Sequence, residues 1–266
     1  MALSSFTIQQ IFEVRAFDLV SGDLLLFSDN LKSASVENAE ETVYSMGGVG
    51  NVYINGDSHS KRTTINTEAA TFDMSQVSMI TGSPVVTGAT TVNFVEILTV
   101  GTNAATTTHT ATGTVGAEII SLQELDASGN VVKAYDQVAS APTTGKFTYT
   151  SGTKALTFFA TDMAAGKLIR VVYNVATGTE AMTVTNATNV FAGQAKFIFE
   201  TIVKDACGTI YAAQLVVYKA KINGTWSFDL AADGEPAVLA MNLEALKACG
   251  QNKLWDLKIY DESALV

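Results

Sequence analysis

Histidine, cysteine and proline are nearly missing from this chain of 266 residues, at two, two and three respectively. Each scarcity removes a class of chemistry. His59 and His109 lie 50 positions apart, and no carboxylates show the spacing of a calcium loop, so no metal centre and no cofactor are expected. Cys207 and Cys249 belong to no Cys-x-x-Cys or Cys/His motif. Both read as reduced thiols buried in the fold. Charge is sparse, with 16 Lys/Arg against 26 Asp/Glu and a net charge of −10. That balance argues against holding nucleic acid by phosphate neutralisation. Long apolar runs are missing as well. Leu24–Phe27 and Leu168–Val175 are strand-sized, far from the roughly 20 residues of a membrane-spanning helix. The N-terminal MALSSFTIQQIFEVRAF has no basic segment leading into an apolar one. The expectation is a soluble protein made in a cytosol, with no membrane partner.

What the chain does have is Thr, Ala, Val and Gly in runs of period two, which read as strands. FEVRAFDLVSGDLLLF (12–27) is a hairpin turning at Asp18–Asp23, and KFIFETIVKDACGTIYAAQL (196–215) is another, turning at Asp205–Gly208. LVVYKAKINGTWSFDL (215–230) reads as a third, with Asn223-Gly224 as its turn. Val216, Tyr218, Ala220 and Ile222 fall on one face of it, and Trp226 and Tyr218 are expected in the core. Asn55-Gly56, Ser128-Gly129-Asn130 and Ser151-Gly152 are further turn signals. Helix is scarce. FDMSQVSMITG (72–82) is the best candidate, with Asp73 as N-cap, Gln76 completing a capping box, Phe72 and Val77 as a staple, and Gly82 as the stop. SVENAEETVYSMGG (35–48) reads as a weak helix, and 235–250 as a strand followed by a short helical turn.

The expected fold class is therefore all-β, with one short helix. Residues 86–189 are richer in Thr, Ala and Gly than their flanks, as in a small β-sandwich of the immunoglobulin type inserted into a loop. The flanks, 1–85 and 190–266, form the other domain. They carry most of the negative charge: 4 Lys/Arg against 10 Asp/Glu in 1–85 and 7 against 9 in 190–266, with 5 against 7 between.

Gly56-Asp57-Ser58-His59 imitates the opening block of a GDSL-type serine esterase. The imitation fails on chemistry. A nucleophilic serine needs a strand-to-helix turn and a histidine base from elsewhere. Here Lys61–Ile65 continues as strand, and no Asp-x-x-His block follows His109. On an extended chain His59 points away from Ser58. Gly47-Gly48-Val49-Gly50-Asn51 lacks the Gly-Lys-Ser/Thr ending of a phosphate loop and reads as a helix-to-strand connection. Glu37, Glu40 and Glu41 read as a solvated face. No catalytic residue is expected.

The order of these pieces on the flanks resembles the tail tube proteins of long-tailed bacteriophages. The resemblance is carried by FEVRAFDLVSGDLLLF, VENAEETVYSMGGVGN, the extended ING…HSK…INTEAATFD and the capped MSQVSMITG. After the insertion it continues in FETIVKDACGTIYAAQLVVYKAKINGTWSFDLAADG and AVLAMNLEAL. It implies a β-sandwich or barrel-forming protomer that assembles into hexameric rings, stacked axially into a tube in the virion. It also implies tape measure, tail terminator and baseplate or tip proteins as partners, and viral DNA passing through the lumen without specific binding. An acidic lining suits that passage, because carboxylates repel phosphate over about 8–10 Å. The 33–50 loop is the candidate contact between protomers, through Ser33, Glu37, Glu40, Glu41, Gly47 and Gly48, and would order on assembly. A capsid decoration protein and a carbohydrate-binding adhesin are the alternatives.

Overall fold

A computed structural model describes residues 5–224, 226 and 239–264. In chain order the first segment holds β1 (Phe6–Phe17), β2 (Leu24–Ser28), β3 (Leu31–Gly47), β4 (Val52–Ala69) and helix α1 (Met74–Thr81). There follow β5 (Val86–Thr87), β6 (Thr91–Thr99), β7 (Ala104–Thr106), β8 (Ile119–Leu125), β9 (Val131–Gln137), β10 (Lys146–Thr150), β11 (Ala155–Phe158), β12 (Leu168–Ala176) and β13 (Met182–Thr183). The last segment holds β14 (Gln194–Asp205), β15 (Ile210–Ile222), β16 (Leu239–Ala245) and β17 (Trp255–Tyr260), then a single 3-10 turn at Glu262–Ala264. The protein is all-β with one short helix among the described residues. It divides into two compact units, Met1–Val85 with Val184–Val266, and Val86–Thr183.

The first unit is built on one antiparallel sheet in the order β2-β1-β14-β15-β16-β4-β3. The edge of β15 forks: β17 pairs with Ala212–Val217, and β16 pairs with Ala220–Ile222. One face of the sheet is buried. Val14, Phe197, Phe199, Val217, Ile222 and Met241 pack there, with Ile80 of α1 among them. Asp73 caps α1 by accepting from the Ser75 amide at 2.8 Å. Gly82 ends it at φ +75°, and a Cβ there would stand 2.2 Å from the Phe191 carbonyl oxygen, so only glycine fits. Gln76 does not complete a capping box. It is fully buried, and its amide has no partner among the described residues.

Strand pairing overrides several local readings. Residues 35–48 are strand, not helix. Val36, Thr42, Val43 and Tyr44 suit a pleated strand, the like-charged Glu37 and Glu41 oppose each other on a helix, and β4 offers a partner along the whole length. Asn55-Gly56 is not a turn but lies inside β4, opposite Ser45 and Tyr44. The turn is Gly48–Asn51, where Gly48, Gly50 and Asn51 all take positive φ. Residues 246–250 form no helix; the chain turns through Gly250 at φ +73°.

A bulge in β15 reverses the expected faces. Ala195 faces Ala220, yet Phe197 faces Val217, so β15 holds one extra residue. Val217 thus joins Ala220 and Ile222 in the core, and Tyr218 turns outward, its hydroxyl donating to Asp256 Oδ2 at 2.5 Å. Trp226 does pack against the core. The Asn223-Gly224 hairpin falls partly on Thr225 and 227–230, outside the described residues; the Asn223 amide donates to the Asn242 carbonyl, continuing the β15–β16 ladder. Cys207 and Cys249 are both exposed, not buried, because each lies in a surface turn.

The second unit is a seven-stranded sheet in the order β6-β12-β8-β9-β10-β11-β7, with the short pair β5–β13 apart from it. The sheet curls over a single core that joins Ala105, Leu122, Phe147, Leu156, Ile169 and Tyr173 from five of its strands. Buried hydroxyls are tied to carboxylates. Tyr173 donates to Glu96 Oε1 at 2.6 Å, and the Tyr135 hydroxyl lies 3.3 Å from Glu124 Oε2. Burial, then Glu124, pushes the Tyr135 hydroxyl up to about 12; burial, then the Glu96 bond, does the same for Tyr173. Raised pKa values mean that the folded unit prefers neutral tyrosine. This contribution is whole below pH 10 and is lost as pH rises towards about 12. The expected result is alkaline unfolding in that window, with tyrosinate absorbance rising together with loss of near-ultraviolet dichroism. Smooth ionisation near pH 10 in the folded protein would contradict it.

Candidate assembly surface

β3 and β4 extend as a two-stranded ribbon of 17 and 18 residues. Its root is part of the sheet: Ile65 is fully buried, and Thr67 donates to the Met241 carbonyl at 3.1 Å. Beyond the Asn38–Thr63 pair no ribbon residue is fully buried. From Val43 to Asp57 every residue is exposed except Gly47, which is half-buried. Val49 is fully exposed, and Ile54 and Val52 are 68% and 58% exposed. A two-stranded ribbon is marginal in water on its own, so cross-strand pairs must hold this one. The Tyr44 ring lies over Gly56, where a Cβ would meet it at 2.9 Å, and reaches Tyr53 at 4.7 Å between centroids. Gly56 is there for that close approach. A bulge separates Ala39–Arg62 from Glu41–His59, with Ser60 at φ +55° as the extra residue of β4.

The residues singled out in the sequence all fall on β3 or at its end. Ser33, at the root, donates to Glu68 Oε2 at 3.2 Å. Glu37 stands opposite Thr64. Glu40 accepts from the Ser58 hydroxyl at 3.4 Å, on the face of Thr42 and Tyr44. Glu41 pairs with His59 at 3.5 Å on the other face. Gly47 closes the ladder opposite Val52, and Gly48 begins the turn. The segment up to Gly47 is a strand of the β3–β4 ladder, not a loop. Ser58 and His59 point to opposite faces, so the GDSH run brings no base to the serine. Among the described residues no three His, Cys, Asp or Glu side chains are placed to hold a metal ion.

What the sequence reading missed is the groove at the ribbon's root. A cleft of about 690 Å³ opens between β1, β14 and β17 on one side and β3 on the other, lined by Ile8, Ile11, Val36, Phe199, Trp255 and Leu257 among others. A second cleft of about 720 Å³, lined by Lys61, Lys247 and Lys253 with Glu40, shares Asn38 and Trp255 with the first. Asn38 is fixed in place: its Oδ1 accepts from the Thr63 hydroxyl at 2.5 Å and from the Trp255 indole at 3.3 Å. Lys253 binds Asp256 at 2.8 Å, and that ammonium, with the Tyr218 hydroxyl, holds the carboxyl below its usual range. Lys61 and Lys247 enter no ion pair among the described residues. In the sequence only the apolar residues at 43–54 pointed to the ribbon, and the groove has no motif.

The residues singled out in the sequence thus fall on one ribbon or at its end, and the groove opens at its root. No curated protein matches the chain. The model of one protein family does match, over residues 6–255, which takes in the second unit, the whole ribbon and most of the first unit. The chain belongs to the YomU/Tube protein family.

Proposed function

We propose that this protein is the structural subunit of a bacteriophage tail tube: protomers assemble into hexameric rings that stack axially, within the virion, around a channel for DNA. The single observation that carries this reading is the ribbon. Of residues 43–57 all but Gly47 are exposed, and they present Val, Ile, Tyr and Met side chains to water. Exposed apolar surface of this kind marks a contact with another macromolecule. Membership of a family described as tube proteins supports the contact being with further copies of the same chain. Self-association is the activity, and no reaction is catalysed.

A ring needs contacts that close by rotation, and a tube needs a second, repeating contact along its axis. Glu40, Glu41, Gly47 and Gly48 on the ribbon and Ser33 and Glu37 at its root belong to these contacts. The excess of carboxylates in the first unit, which holds eight of the ten net negative charges, suits a bore that repels phosphate along its length. Tape measure, terminator and baseplate or tip proteins are the expected neighbours at the two ends. Negative-stain images of the purified protein test the reading. Tubes built of stacked six-fold rings are expected; discrete trimers would favour a capsid decoration protein, and glycan-binding monomers an adhesin.

A further inference from the structure

The root groove is two-toned. Its apolar floor, with Val36, Trp255 and Leu257, runs past Asn38 into a rim that holds three lysines against one carboxylate, Glu40. The ribbon is two-toned in the same order. Its tip carries Val49, Val52 and Ile54. Further down, Glu41 and Asp57 lie on the face they share with Val43. From 39 to 60 there is no lysine or arginine, against Glu40, Glu41 and Asp57. A ribbon with an apolar end and an acidic stem therefore matches a groove with an apolar floor and a cationic rim.

The two cannot meet within one protomer. Asn38, which lines the groove, is nine residues from Gly47 along β3, or about 30 Å at the rise of a strand. To bend the tip back would break the β3–β4 ladder that continues to Gly47–Val52. We infer that the root groove of one copy receives the ribbon of another, with Val52 and Ile54 covering the apolar floor and Glu41 and Asp57 facing Lys61 and Lys247. Tip and groove are different surfaces, so the contact is head-to-tail and each copy has one of each to offer. Such a contact propagates into a ring or a filament and does not stop at a dimer. This docking rests on the tube reading above and names the surface that takes the ribbon.

Charge exchange between two variants of the full chain tests it. K61E/K247E places acid in the groove opposite an acidic ribbon, and E41K/D57K places base on the ribbon opposite a basic groove. All four sites are exposed, so circular dichroism and the thermal midpoint should match the unaltered protein. Alone, each variant should raise the concentration needed for tube assembly by about tenfold or more, since like charges brought together across an interface are strongly unfavourable. Mixed in equal amounts, each variant's ribbon finds a groove of opposite sign, and pelletable tubes should return. Assembly of either variant alone at the normal concentration overturns the docking and leaves the tube reading standing. So does a mixture that stays unassembled. A native protein that forms no tubes overturns both.

Discussion

Replacing residues 43–57 with Asn-Gly, so that a two-residue turn joins Thr42 to the Ser58 it faces, is expected to abolish tube assembly while leaving the fold intact. Thr42 and Ser58 are opposed in the ladder, with hydroxyls 3.2 Å apart, so a tight turn can close there. The excised residues contribute no fully buried side chain. Their removal takes no fully buried side chain out of either core, and the thermal midpoint should hold within about 2 °C, the shift of about 1 kcal/mol or less in a chain of this size. Assembly should fall from tubes to a monodisperse small species by sedimentation. Tubes formed at the native concentration by the shortened chain would show that the ribbon is not the assembly arm. A collapse of the thermal midpoint would show that the ribbon supports the sheet at its root.

Phe197→Ala should produce the largest loss of stability. Phe197 lies at the centre of the sheet on β14, fully buried, with Ala16 on one side and Val217 on the other. Its ring stacks on Phe199 at 6.3 Å and 15°. Strands on both sides fix the backbone, so the hole cannot collapse. The expected cost is about 3–5 kcal/mol, a large share of the roughly 5–15 kcal/mol that holds an ordinary domain. The second unit has its own core around Phe147 and Tyr173. The urea midpoint reported by the first unit should fall steeply, while the alkaline transition of the buried tyrosines stays where it was. A loss below about 1 kcal/mol would place Phe197 in a site free to repack.

Which elements could be read in advance follows from the range of the forces that make them. The helix at 74–81 was legible because its signals are local: Asp73 caps one end and Gly82 stops the other within eleven residues. The hairpin turns at Asp18–Asp23, Ser128–Asn130 and Asp205–Gly208 were legible likewise. At each, an aspartate side chain accepts from amides two to four residues on. Gln76 is the exception: the residue at the capping-box position is instead buried by its helix's packing.

The ribbon was misread for the opposite reason. Gly56 looks like a turn glycine, and its actual partner, Tyr44, is twelve positions away. The pairing of Glu37 with Thr64 spans 27 positions, and that of Ile222 with Leu243 spans 21. A bulge such as the one near Val217 changes which face every later residue takes, and it depends on the neighbouring strand. The groove is further still from any local signal. Ile8, Val36 and Trp255 come from three separate strands, β1, β3 and β17, and only the sheet order sets them around one cleft.

By itself, then, the sequence determined the all-β class, the capped helix, the turns built on Asp18, Asp126 and Asp205, and the acidic balance. All of these depend on composition or on neighbours a few residues apart, where side chain and backbone meet whatever the rest of the chain does. Only the tertiary structure decided that residues 31–69 form a projecting ribbon, that lysines 61 and 247 flank one groove, and which face each strand presents. These are properties of strand register, set by contacts dozens or hundreds of residues apart whose closure no short window of sequence can express.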